Sequence, residues 1–252
     1  MPLSPWLYLP LVLVACWVVG RLVVFLPAQY AEEEQAFMAA LAAKGDSAES
    51  FVIPPENPAT ANFWRRFLTV PPLFSGRQSV ACLGVVVVAA WVALHTTSPL
   101  PLLLWLLFGC ALIVLALVDY QIRLLPDVLT LSMLWLGLVI QLFPDTRTVG
   151  LEMAVIGAVA GYLPLWILAK VYFLIRQRDG LGMGDLKLLA AMGAWSGAGV
   201  LPRVVFVAAL LAILAVVARR LLAAHRLSLQ EELPFGPWLI LAYMLVLTQM
   251  SW

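Results

Sequence analysis

The sequence predicts an all-α fold, a polytopic membrane bundle of about eight transmembrane helices with one long cytoplasmic loop. Apolar residues make up 63% of the chain and charged residues only 12%, which is about half the charged fraction of a soluble domain. The mean hydropathy is +0.99, and several apolar runs approach the length of about 20 residues that spans a bilayer. The lipid bilayer is therefore an expected partner. The net charge of +1 gives no indication of nucleic-acid binding.

Eight apolar runs supply the predicted spans. The first has no basic segment before it and is too long for the apolar part of a signal peptide, so we expect a membrane helix and not a cleavable leader. The sixth is short for a full crossing. The predicted spans cover residues 6–26, 79–94, 100–118, 128–143, 151–175, 186–199, 204–222 and 236–250.

The basic residues are distributed unequally between the two sides that these spans define. One side receives nearly all of the 15 lysines and arginines, whereas the connections on the other side carry only Arg147 and Arg203. Because basic loops stay in the cytoplasm, both chain ends are expected outside and segment 27–78 inside. Within that segment, residues 31–43 have the pattern of a short amphipathic helix, and the proline-rich stretch 51–60 disfavours regular structure.

Two acidic residues are placed where a charge is costly. Asp119 ends the third apolar run and Asp185 begins the sixth, so both lie at the cytoplasmic ends of their helices. Two neighbouring carboxyl groups share a proton, which lets one activate water while the other polarises a carbonyl, as in aspartic proteolysis. The alternatives are that Asp119 is an interfacial helix end and that Asp185 is a helix cap.

The residues around this pair have predicted roles of their own. Gly182 and Gly184 precede Asp185 in GMGD, where glycine allows close backbone approach and unusual dihedral angles. Lys187 is expected to reach the lipid headgroups, with electrostatic tuning of the two aspartates as the alternative. Asp127 follows Pro126 at the start of the fourth span. We interpret Asp127 as a helix cap, with a supporting catalytic role as the alternative.

Three separated stretches resemble the prepilin leader peptidases, which are membrane aspartic peptidases of the GxGD class and include type IV prepilin peptidase/N-methyltransferases. The stretches are ALVDYQIRLLPDVLTLSMLWLGL at 116–138, GLGMGDLKLLAAMGAWSG at 180–197 and LPFGPWL at 233–239. They occur in the family's order. The resemblance covers residues 80–252 well and the first part of the chain more weakly.

The resemblance implies a function for these residues. Asp119 and Asp185 match the catalytic pair, while Gly182, Gly184 and Lys187 are expected to shape the site or contact the substrate. The implied substrates are precursors of type IV pilins or type II secretion pseudopilins, cleaved at the cytoplasmic face of the bacterial inner membrane. The implied domains are a peptidase core at 79–252 and a part at 1–78, which contains the first helix and a loop for methyl transfer or substrate recognition.

The chain departs from the family pattern in its first loop. Many bacterial relatives carry two CxxC pairs there, but segment 27–78 has no cysteine. We therefore expect no zinc, and no cofactor for the peptidase activity. S-adenosylmethionine is a possible methyl donor, and whether methylation survives is left open. Cys16, Cys82 and Cys110 are expected to be buried apolar residues. A proton-coupled transporter and a non-enzymatic secretion assembly factor are the alternative functions.

Overall fold

All regular structure in the described part of the chain is helical, as the sequence predicts. The structure is a computed structural model, and it describes residues 9–44, 76–95, 98–177, 182–222 and 234–249. A 3₁₀ turn at Ala198–Val200 joins two of the helices. The helices are α1 (Leu9–Lys44), α2 (Gly76–His95), α3 (Pro99–Ile122), α4 (Asp127–Ile140), α5 (Leu151–Arg176), α6 (Met183–Ser196), α7 (Leu201–Leu222) and α8 (Gly236–Leu247).

Length and composition identify a membrane protein. Four described helical segments are long and apolar enough to cross a bilayer: Val12–Tyr30, Leu100–Ile122, Leu151–Arg176 and Ala198–Leu221. Large apolar side chains such as Leu174 and Phe206 are exposed along them, which suits contact with lipid. Three shorter apolar helices accompany these segments, at Ser79–Val92, Asp127–Ile140 and Gly236–Leu247.

The first helix differs from the prediction. Its predicted end at residue 26 is wrong, because α1 continues through Pro27 to Lys44. The predicted helix 31–43 is therefore the continuation of α1. A proline removes one helical hydrogen bond and crowds the preceding turn, but a helix at membrane depth tolerates this loss where neighbouring groups compensate. The proline-rich stretch 51–60 lies outside the described residues.

The described residues form two compact units that divide between Val86 and Val87, within α2. In the first unit, the Cys16 and Cys82 thiols each lie against the other residue's backbone carbonyl, at 3.8 and 4.0 Å. These two cysteines are half-buried and Cys110 is buried, so full burial is correct for Cys110 alone.

Helix α6 is the centre of the second unit. Every residue from Asp185 to Ser196 except Lys187 is buried, and α6 packs against α4, α5, α7 and α8. A helix that is apolar all round is expected in such a core. Its surroundings are therefore mostly protein, which explains why a helix of only 14 residues is stable here.

Glycines let α5 and α6 approach closely. A Cβ atom at Gly157 would overlap the backbone carbonyl of Gly193, and a Cβ atom at Gly193 would overlap that of Gly157. One turn further along α5, a Cβ atom at Gly161 would lie 2.6 Å from the carbonyl oxygen of Leu189. The spacing of Gly157 and Gly161 is the GxxxG pattern with which membrane helices pack at short distance.

Trp195 fixes the register of α6 against α3. Its ring stacks on Phe108 of α3 with 4.1 Å between centroids, and its Nε1 donates a 2.9 Å hydrogen bond to the Met133 carbonyl of α4. Asp119 follows Phe108 along α3, and Asp185 precedes Trp195 along α6. At 1.5 Å per residue, both aspartates lie about 15 Å along their helices from this stacked pair.

Candidate active site

Asp119 lies in the last turn of α3 and is 6% exposed. The helix ends directly after it, where Arg123 takes a left-handed conformation with φ 55°. The Arg123 amide donates a 2.8 Å hydrogen bond to the Asp119 carbonyl. A short connection, residues 123–126, then leads to α4.

Asp185 lies in the first turn of α6 and is 9% exposed. Gly182 occupies the N-cap position of α6, and no side chain makes a capping hydrogen bond there. Asp185 is therefore not the helix cap, which leaves its carboxyl group available for chemistry. Asp119 is near enough to Asp185 for the two carboxyl groups to interact electrostatically.

The carboxyl group of Asp119 has an unsatisfied oxygen. Its Oδ2 atom is buried and has no hydrogen-bond partner among the described residues. The amide of Gly236 lies beside the carboxyl group but does not meet hydrogen-bond geometry with Oδ2. An unpaired buried oxygen costs free energy, and it is available to hold a water molecule or a substrate group.

Gly236 is a site residue to which the sequence reasoning gave no role. It begins α8, and a Cβ atom there would lie 2.6 Å from Asp119 Oδ2. The stretch LPFGPWL was noted for its resemblance only. A glycine at the start of an apolar helix, within a stretch shared with a peptidase family, was the signal that points to this contact.

The two glycines before Asp185 leave little space for a side chain. A Cβ atom at Gly184 would lie 2.8 Å from Leu125 Cβ, and one at Gly182 would lie 3.2 Å from Asp185 Oδ2. Neither glycine has a positive φ. The nearest atoms to both positions belong to side chains, so these contacts are not the predicted approach of backbone to backbone, and neither glycine uses its tolerance of unusual dihedral angles.

Lys187 and Asp127 form an ion pair beside the two aspartates. The distance from Lys187 Nζ to Asp127 Oδ1 is 2.6 Å, and the two side chains are 25% and 58% exposed. Pro126, and not Asp127, takes the N-cap position of α4, with no side-chain capping bond. The interpretation of Asp127 as a helix cap is therefore wrong. Sequence reasoning missed the pair because its members are far apart along the chain.

The described residues contain no group of three or more histidine, cysteine, aspartate or glutamate side chains that could hold a metal ion. The side chains around the two aspartates, as far as the structure describes them, therefore do not form a metal site. Segment 45–75 lies outside the described residues, and none of its residues is assigned to a metal or to S-adenosylmethionine.

Comparisons with known proteins identify the family of the chain. Residues 106–217 match the model of the type IV leader peptidase family, and this stretch contains both aspartates. A prepilin leader peptidase/N-methyltransferase of Escherichia coli K12 is 36% identical over 184 residues, which cover 73% of this chain and 75% of the relative. The chain belongs to the type IV leader peptidase family.

Other leader peptidases match over shorter stretches. The protein of Dickeya chrysanthemi is 50% identical over 127 residues, covering 50% of this chain and 44% of the relative. The protein of Dichelobacter nodosus is 42% identical over 151 residues, covering 60% and 50%. Both carry the name prepilin leader peptidase/N-methyltransferase. The chain thus spans about half the length of these two leader peptidases. No solved structure matches the chain.

Proposed function

We propose that this leader peptidase family member is a membrane aspartic endopeptidase whose catalytic pair is Asp119 and Asp185. The observation that supports this most strongly is the presence of two buried carboxyl groups, one at the end of α3 and one at the start of α6, that are near enough to interact electrostatically. The unpaired Asp119 Oδ2 gives the pair a free acceptor for water or substrate.

The pair cleaves a peptide bond by sharing one proton. The ionised carboxylate removes a proton from a water molecule, whose oxygen attacks the scissile carbonyl carbon. The protonated carboxyl donates a hydrogen bond to the carbonyl oxygen and stabilises its developing charge. A proton then passes to the amide nitrogen as the C–N bond breaks, and the pair again holds one proton. Because the two groups titrate together, neither residue has a fixed role.

The elements around the pair favour a site at a membrane surface. Asp119 lies at the end of one candidate span, and Asp185 lies at the start of the core helix. In the proposed topology of about eight transmembrane helices, the basic residues place this end of the bundle in the cytoplasm. The protein is then a multi-pass protein of a bacterial inner membrane that cleaves at the cytoplasmic face.

The proposed substrates are prepilins or pseudopilin precursors of type II secretion. The names of the relatives support prepilin cleavage, and nothing in the comparisons favours a transporter or an assembly factor. A substrate whose apolar helix lies in the same bilayer would present the bond that precedes that helix at the depth of the two carboxylates.

N-methylation of the new terminus is a second candidate activity, which the names of the same relatives favour. S-adenosylmethionine would supply the methyl group, and segment 27–78 would belong to the part that performs the transfer or recognises the substrate. This segment contains no cysteine, so we propose that it works without zinc.

The test is incubation of the purified protein with a prepilin, followed by mass spectrometry of the product. We expect the substrate to lose its leader peptide. With S-adenosylmethionine present, the methylation proposal predicts that the new terminus gains the mass of one methyl group. The methylation proposal is contradicted if the product never gains this mass while a cysteine-containing relative methylates the same substrate. The protein would then be a peptidase only.

A further inference from the structure

An ion pair joins the beginnings of α4 and α6, two residues along the chain from Asp185. Lys187 is the fifth residue of α6 and Asp127 is the first residue of α4. Their atoms Nζ and Oδ1 lie 2.6 Å apart, although 60 residues separate them in sequence. Because the two residues belong to different helices, their contact does not stabilise either helix on its own. It fixes the position of the start of α6 relative to the start of α4.

A second contact joins the same two places. Leu125 precedes α4 and is 8% exposed, and its Cβ atom lies 2.8 Å from the position that a Cβ atom at Gly184 would take. The connection between α3 and α4 is thus held against the start of α6 by an apolar contact at Leu125 and by the ion pair. Asp119 lies in the last turn of α3, just before this connection, and Asp185 lies between Gly184 and Lys187.

The pairing argues against two of the roles predicted for Lys187, namely contact with lipid headgroups and electrostatic tuning of the two aspartates. A lysine bonded to a carboxylate at 2.6 Å is directed at the protein and not at lipid headgroups. Its positive charge is also compensated by Asp127, so the pair exerts a smaller net field on the two aspartates than an unpaired lysine would. The remaining effect of the ion pair is on the relative position of the starts of α4 and α6.

We infer that Lys187 is a positioning residue: through its ion pair with Asp127 it holds the start of α6, and with it the Asp185 carboxyl group, in register with Asp119. This inference rests on the proposed peptidase function. Both side chains are partly exposed, so the pair adds little to the stability of the whole protein. Its effect appears in turnover, because misplacing a catalytic group by about 1 Å costs up to about 100-fold in rate.

The first experiment measures prepilin cleavage by Lys187→Met and Asp127→Asn in detergent-purified full-length protein. We expect kcat to fall about 10- to 100-fold in each variant, with KM little changed. The double variant is expected to be no worse than the worse single variant, since both changes remove one interaction. Lys170→Met is the matched control, since it removes a lysine of α5 that lies over the Trp166 ring, and it is expected to keep the wild-type rate.

The pH profile separates positioning from electrostatic tuning. If Lys187 acted by its charge, its removal would raise the pKa of the neighbouring carboxyl pair, while removal of Asp127 would lower it. The profile would then move in opposite directions in the two variants. Positioning predicts that kcat falls in both while the profile keeps its place. Opposite movements, or a wild-type kcat in Lys187→Met, would overturn the inference.

Restoring the pair provides the complementary test. The exchanged variant Asp127→Lys/Lys187→Asp and the conservative variant Lys187→Arg are expected to recover at least part of the kcat lost in Lys187→Met. If Lys187→Met does not fold, these two variants decide the question by themselves. An exchanged variant that folds and stays as slow as Asp127→Asn contradicts the inference. Failure of the wild-type protein to cleave any prepilin would instead contradict the proposed function.

Discussion

The contacts of Asp119 show why one small residue matters at this site. A carboxyl group in a packed site leaves little room for a neighbouring side chain. Gly236 lets the start of α8 lie against the carboxyl group, because a Cβ atom there would lie 2.6 Å from Oδ2. From an acidic residue at a helix end, without a neighbour such as Gly236, we would predict only the end of a helix near the membrane surface.

Gly236→Ala is therefore expected to slow cleavage strongly. The new Cβ atom would lie 2.6 Å from Asp119 Oδ2, so the carboxyl group must rotate or α8 must shift. We expect kcat to fall about 10- to 100-fold, measured as the initial rate of prepilin cleavage. Gly199→Ala is the control, because a Cβ atom there meets no heavy atom within 4 Å. Equal rates for both variants would show that Gly236 is only a helix start.

Gly184→Val tests the other close approach. Its Cβ atom would lie 2.8 Å from Leu125 Cβ, and the branched side chain would push the Asp119–Asp127 connection away from α6. We predict severe loss of cleavage in protein that still inserts in the membrane. Gly199→Val is the matched control. Normal turnover by a well-expressed Gly184→Val protein would refute the steric argument.

At the scale of the helices, α6 decides where Asp185 lies. Its register is fixed at one end by the stacking of Trp195 on Phe108 and along its length by the glycine contacts with α5. Since α6 packs against four other helices, disturbance of its packing affects both the fold and the site.

Gly193→Ala is expected to destabilise the protein although alanine favours helix formation. The added Cβ atom would overlap the Gly157 carbonyl, and overpacking of this kind costs about 1–3 kcal/mol. The measurement is thermal unfolding in detergent, in which we expect the midpoint to fall by several degrees. The control Gly199→Ala should not lower it. An unchanged midpoint for Gly193→Ala would mean that α5 and α6 are less closely packed than the structure shows.

The positions of the helices were largely predictable, whereas their contacts were not. Hydropathy predicted a span at 151–175, and the helix is Leu151–Arg176. Local patterns did not reveal that α1 continues through Pro27, because a proline by itself favours the end of a helix. The Gly236 contact and the Lys187–Asp127 pair join residues distant in sequence, so composition and periodicity carry no signal for either.

At the scale of the whole molecule, the chain combines a stretch that matches the type IV leader peptidase family with a segment, 27–78, that contains no cysteine. The described residues provide no metal-binding cluster. We predict that metal analysis of the purified full-length protein finds no stoichiometric zinc and that a chelator leaves prepilin cleavage intact. Loss of cleavage on chelation, with recovery on addition of zinc, would show that the chain uses a metal after all.

The central claim is that Asp119 and Asp185 act together as one catalytic unit. The most direct test compares prepilin cleavage by the wild-type protein, Asp119→Asn, Asp185→Asn and the double variant in matched membrane preparations. Asparagine keeps the shape of aspartate but cannot share a proton as a carboxyl pair does. Asp145→Asn is the control, since it removes an exposed carboxylate from the connection between α4 and α5.

We predict that wild type and Asp145→Asn release the leader peptide, as mass spectrometry of the product terminus would show. Each variant at the pair should be inactive although folded, and the double variant should be no worse than either, because groups that act as a unit are not additive. A folded Asp119→Asn or Asp185→Asn protein that keeps most of the wild-type rate would contradict the assignment of the catalytic pair.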